Sequence, residues 1–126
     1  MLWDNSAQAG FTTGKPWLPI NDDAAVRNLA AQKNDPQSIW RWHQQLLALR
    51  KQHAALRLGD WKEIYGGKNV LAYRRTHEGQ SIDVFLNFSR NAVELPPVEG
   101  KVLLSNMGRV SLSNSLSGYE VLVMGE

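Results

Sequence analysis

Carboxylates and imidazoles are the side chains of this sequence that could move protons, so their spacing limits the chemistry open to it. General acid–base work needs such groups placed within reach of one reacting bond. Asp22-Asp23, Asp60, Glu63 and Asp83 stand in a loop or on predicted strands, without partners at a recognisable spacing, and read as solvated acids. His43 and His53 fall ten residues apart in a helical stretch. That spacing is about 1,000° of rotation, which leaves them roughly 80° apart around the axis and ~15 Å apart along it. They cannot share a metal ion. His77 falls in a predicted turn. The chain has no cysteine, which excludes thiolate nucleophiles, disulfides and Cys-based metal sites. No catalytic residue, no metal ligand set and no cofactor is expected within these residues.

The elements that would position any site fall into three blocks. Residues 1–34 show neither a sustained helical nor a sustained strand period, although they contain Trp3, Phe11 and Trp17. Their aromatic content argues against a flexible linker. In "NDPQSIWRWHQQLLALRKQHAALRLGD", Asp35 can cap a helix and Pro36 suits its first position, where the missing N–H has no intrahelical partner. Ile39, Trp42, Leu46, Leu49 and Leu56, with Ala55 beside them, recur at helical spacing, and Gly59 is a stop signal. One helix is expected over 36–57.

Beyond Gly59 the period becomes two. In "SIDVFLNFS", Ile82, Val84, Leu86 and Phe88 share one face while Asp83, Phe85 and Asn87 share the other. Similar runs occur at Trp61–Tyr65, Val70–Arg75, Val93–Leu95, Lys101–Leu104, Val110–Leu112 and Tyr119–Met124, with turn-forming residues between them. Glu78-Gly79 fits a tight hairpin. The expected fold is mainly β: an antiparallel β-sandwich preceded by one long amphipathic α-helix and an irregular N-terminal segment.

Composition narrows the class further. At 126 residues, with 43% apolar and 21% charged residues, the sequence is that of a globular protein. A formal charge of +2 with no dense basic run gives no footprint for nucleic acid. No stretch approaches the ~18 consecutive apolar residues of a spanning helix, and the first residues lack a basic segment followed by an apolar one. Neither membrane anchor nor signal peptide is expected, which leaves a cytoplasmic location by default.

Three stretches carry a family resemblance: "MLWDNSAQAGFTTGKPWLPIN", "NDPQSIWRWHQQLLALRKQHAALRLGDW" and "NVLAYRRTHEGQSIDVFLNFS". Trp3-Asp4, Ala9-Gly10-Phe11-Thr12, Gly14, Pro16-Trp17, Asp35-Pro36, Ser38 and Leu49-Arg50 fall in register with a pattern found late in glycoside hydrolase family 13. The sequence thereby resembles the C-terminal part of α-glucosidases, in the branch of oligo-1,6-glucosidases, trehalose-6-phosphate hydrolases and sucrose isomerases. The resemblance implies that residues 1–57 are the remnant of a (β/α)8 barrel, comprising the loop after the eighth strand and the last helix. It also implies that 58–126 form the C-terminal β-sandwich, domain C. Such a barrel takes on the order of 250 residues, so the irregular opening segment reads as a loop covering a barrel rim encoded elsewhere. The match begins at the Met of a Met-Gln-Trp-Asp pattern, which suggests a start inside a longer frame.

The same resemblance places the paired carboxylates of a retaining glycosidase, about 5 to 5.5 Å apart, upstream of Met1. It sets Trp3 and Asp4 beside the sugar-binding rim, where an indole can stack on a sugar and a carboxylate can hold a hydroxyl or an arginine; anchoring the loop is their other reading. Leu2 departs from the family's usual Gln. The implied function is a C-terminal fragment of an α-glucosidase-type hydrolase in carbohydrate metabolism, stabilising but inactive alone, with α-glucosides met through the parent barrel. The alternative is a free-standing carbohydrate-binding or protein-interaction module derived from such an enzyme. Oligosaccharide binding by the β module and a homodimer through the exposed helix face are the further partner expectations.

Overall fold

A computed structural model describes residues 1–126, and the chain separates into two units, Met1–Ala48 and Leu49–Glu126. The first unit contains a single 3-10 turn at Ala7–Gly10, helix α1 (Leu29–Asn34) and most of helix α2 (Ile39–Gln52). Helix α1 lies inside the stretch read as irregular. It forms because Asn28, itself buried, caps it: the Asn28 side chain accepts from Ala31 N–H at 2.9 Å and donates to the carbonyl of Ala24 at 2.9 Å.

The expected helix over 36–57 is two helices, α2 and α3 (Ala54–Leu58). At its start, Asp35 accepts from Gln37 N–H at 2.8 Å and so closes a turn ahead of the helix. Ser38 is the actual cap, accepting from Arg41 N–H at 3.2 Å, while Gln32 Oε1 accepts from Trp40 N–H at 3.1 Å. At the other end His53 takes an extended conformation, φ −114° and ψ 113°. There Gln80, the first strand residue after the Glu78-Gly79 turn, accepts from Ala55 N–H at 3.2 Å, which caps a fresh helix. Gly59 ends α3 as expected, because a Cβ there would run into Ala55 O and Thr76 O. Of the expected buried face, Leu49 and Ala55 are buried and Trp42, Leu46 and Leu56 half-buried, but Ile39 is 80% exposed.

The second unit is the expected antiparallel β fold. Strands β1 (Asp60–Gly67), β2 (Val70–His77), β3 (Gln80–Asn87), β7 (Val121–Gly125) and β5 (Lys101–Ser105) form a five-stranded open sheet in the order β1-β2-β3-β7-β5. β4 (Val93–Glu94) and β6 (Ser115–Leu116) pair as a separate two-stranded ladder. The Glu78-Gly79 hairpin forms with both residues at positive φ, 47° and 82°, and sets the register His77↔Gln80 through Arg74↔Asp83. The expected strand at Val110–Leu112 does not form; Val110 is 90% exposed, and the strand falls at Ser115–Leu116, where Leu116 is fully buried. Phe88 lies past the end of β3 and is exposed, so it does not extend the Ile82 face.

Both faces of the larger sheet are covered. On one, Val70, Ala72, Phe85, Leu122 and Met124 pack with Leu95 and Leu116. On the other, Ile82, Val84 and Val123 pack with Leu49 and Ala55. β3 therefore alternates between two cores, which explains why Phe85 is as buried as Ile82. No helix is long and apolar enough to cross a membrane.

Candidate functional site

The Trp3-Asp4 loop is built from its backbone outward. Gln8, Ala9 and Gly10 occupy the left-handed region in succession, at φ 58°, 51° and 64°, folding the chain back so that Trp3 N–H donates to Ala9 O at 2.9 Å. Trp3 O accepts from Ala30 N–H at 2.9 Å and Leu2 O from Leu29 N–H at 3.0 Å, which ties the loop to the first turn of α1. Those bonds also satisfy amides that a helix start leaves without intrahelical partners.

Asp4 is held inside this loop. Its carboxylate accepts from Ser6 Oγ and from Ser6 N–H, the latter at 2.9 Å. These bonds, the hydroxyl one first, hold its pKa below the ordinary aspartate value. Gly10 is required beside it, because a Cβ at that position would stand 2.8 Å from Asp4 Oδ2 and at an unfavourable φ. Trp3 is 47% exposed, and its indole offers a flat apolar face. Nearby, Met1, Phe11, Pro16, Trp17 and Ile20 line an open groove of about 210 Å³, with Trp17 87% exposed.

The other acids singled out in the sequence do not converge. Asp23 pairs with Arg27 at 3.4 Å, Asp60 and Glu63 lie exposed on β1, and Asp83 pairs with Arg74. Asp83 takes the Arg74 guanidinium in a two-bond fork, 2.6 and 2.7 Å, which raises the Arg74 pKa. His43 is exposed, while His53, at the break between α2 and α3, and His77, which closes β2 rather than lying in the expected turn, are half-buried far apart in sequence. No three His, Asp or Glu side chains are grouped as a metal-ligand set.

Sequence reasoning passed over Glu120, the one fully buried acid. Its carboxylate accepts from Arg109 Nε at 2.8 Å, Arg109 Nη2 at 2.7 Å, Ser117 N–H at 2.8 Å and Ser105 Oγ at 3.1 Å. Arg109 Nη2 also donates to Ser115 O at 2.8 Å. Every oxygen is occupied by the fold itself, so the pair clamps the loop before β6 onto β7 rather than serving a ligand. The signal in the sequence was a single acid next to the apolar run of β7.

Residues 1–59 match the family described as alpha amylase, catalytic domain. The chain is 40% identical over 91 residues to trehalose-6-phosphate hydrolase of Escherichia coli strain K12, spanning 71% of this chain and 16% of that protein. It is 32% identical over 126 residues to oligo-1,6-glucosidase of Heyndrickxia coagulans, spanning 98% of this chain and 23% of that protein. The crystal structure of trehalulose synthase MutB from Pseudomonas mesoacidophila MX-45 superposes with a TM-score of 0.89 at 28% identity, over 98% of this chain and 24% of that one. The chain thus spans less than a quarter of the length of the relatives it matches. It belongs, as a part, to the α-amylase family of glycoside hydrolases, glycoside hydrolase family 13.

Proposed function

We propose that this chain works as the C-terminal part of an α-glucosidase-type hydrolase that acts on α-glucosides, with the reacting carboxylates supplied by a barrel that precedes it. In this reading residues 1–57 complete the barrel as its last loop and helix, and 58–126 form the β-sandwich that stabilises it. Trp3 and Asp4 then lie at the rim of the sugar site, the indole as a stacking face and the loop around Asp4 as its support.

The carrying observation is the mismatch in coverage: nearly all of this chain aligns with relatives of which it spans under a quarter. The apolar side chains of the first unit fit the same reading, since Phe11, Trp17 and Ile39 are 57%, 87% and 80% exposed. In the absence of a barrel, the face of α2 that carries the exposed Ile39, with Trp42 and Leu46 half-buried beside it and Leu49 buried, pairs with a second copy, giving a homodimer. Sedimentation of a strict monomer would overturn that part.

The test is hydrolysis of p-nitrophenyl α-glucoside by the purified chain, alone and mixed with a barrel polypeptide from one of the matched relatives, truncated where the match begins. Activity in the mixture only is the expected result. Turnover by the chain alone, with the carboxylates described above, would refute the proposal.

A further inference from the structure

The second unit contains a cleft that its two apolar cores leave open. It lies between the start of the large sheet and the loop that follows β4, has a volume of about 320 Å³, and is lined by Tyr65, Arg74, Asp83, Phe85, Pro97 and Glu99. That size sits at the lower end of small-molecule sites, which run on the order of 300–1,000 Å³. We propose that this cleft binds a neutral saccharide, with the Arg74–Asp83 pair as its polar floor and Tyr65 and the proline rings as its apolar walls.

The register explains why the floor is rigid. Arg74 and Asp83 are directly opposite on β2 and β3, on the same sheet face as Ala72 and Phe85. One step towards the hairpin from those two core residues, the face changes from apolar to charged. Asp83 engages Nε and Nη2 of Arg74 and leaves Nη1 uncommitted, while the Arg74 side chain is 45% exposed. A planar guanidinium with free N–H donors beside a carboxylate with spare lone pairs matches vicinal hydroxyls, each of which both donates and accepts. Pro96 and Pro97 are exposed and Tyr65 is half-buried, so apolar ring faces flank the polar floor.

Charge selects among polyhydroxyl ligands. Asp83 neutralises Arg74, and Glu99 at the rim leaves the cleft with a net negative charge. A phosphorylated sugar or a nucleotide meets repulsion there, whereas an uncharged oligosaccharide does not. This site uses only residues of the second unit and needs no barrel, so it stands or falls separately from the proposed enzyme.

The experiment is a titration of the full chain with maltose, isomaltose and glucose 6-phosphate, followed through backbone amide resonances. Saturable shifts centred on residues 64–65, 83–85 and 98–99 are expected for the two neutral disaccharides, with dissociation constants in the millimolar range. Arg74→Gln should weaken them about tenfold, or ~1.4 kcal/mol. Glu99→Gln should leave disaccharide binding intact and bring glucose 6-phosphate closer to it; if Arg74→Gln proves unfolded by circular dichroism, this second variant carries the test. Absence of saturable shifts in those amides, shifts confined to the Phe11–Trp17 groove, or equal affinity for glucose 6-phosphate in the parent chain would each overturn the proposal.

Discussion

The two units are held together by different physics. In Leu49–Glu126, buried Val70, Ala72, Phe85, Leu122 and Met124 on one sheet face and Ile82, Val84 and Val123 on the other give two apolar cores sharing one sheet. In Met1–Ala48 the buried residues are Ala9, Asn28 and Ser38. The first unit is therefore ordered by caps and backbone hydrogen bonds, while its Trp17, Phe11 and Leu18 face outward. Hydrogen bonds contribute about 1 kcal/mol each in net terms, whereas burying a large apolar side chain contributes ~1.5–3 kcal/mol. A unit held by caps and backbone bonds is only locally stable.

The difference breaks most sharply at Glu120. Glu120→Ala would leave the half-buried Arg109, its side chain 14% exposed, with no counter-charge. Removing one partner of such a pair costs about 3–5 kcal/mol, a large share of a typical domain stability of ~5–15 kcal/mol. The second unit should lose its cooperative melt in a denaturant titration; a midpoint close to the parent's would show that the pair is dispensable. Leu122→Ala, at a fully buried position, should cost about 2–5 kcal/mol in the same titration. Hydrogen exchange on the unmodified chain sharpens the contrast: amides of β2, β3 and β7 should exchange through global unfolding, and those of α1 much faster by local opening. Equal protection in α1 and β3 would show that the first unit has a stability source beyond its caps.

The strands were legible because their apolar residues alternate, and the Glu78-Gly79 turn alone fixes the register of β2 and β3. Counting four pairs back from that turn places Arg74 opposite Asp83, so the floor of the cleft was readable once the hairpin was trusted. Its walls were not, because Pro96 and Pro97 meet it through tertiary folding. The helix break at His53 carries no local signal either: the apolar spacing continues through it, and the cause is Gln80, distant in sequence. Val110 and Leu112 alternate like a strand yet lie in a loop, because Arg109 beside them is committed to Glu120 and Ser115. Trp3 and Asp4 had no period to betray them, and stood out only through a motif resemblance. What periodicity reports is burial against a continuous partner, and a loop tied by backbone bonds has none.

Smaller effects should appear in the first unit. Asn28→Ala removes the cap of α1 and should cost about 1 kcal/mol, seen as faster exchange at Ala31 and Gln32 while the β strands keep theirs. A matching loss of protection in β3 would mean that the two units unfold as one. Smaller still is the pH dependence of Asp4. Its pKa in the folded loop lies below the ordinary 3.8, owing to the hydrogen bonds from Ser6. The ionised form is thus favoured by folding, so its contribution is complete above about pH 3.8 and fades as pH falls through the lower, folded value. Ser6→Ala removes the hydroxyl donor and keeps the backbone one, which should move the Asp4 titration up towards 3.8 without reaching it. Carbon-detected titration of the Asp4 carboxyl reads this directly, and an unchanged midpoint would assign its depression to another group in the loop.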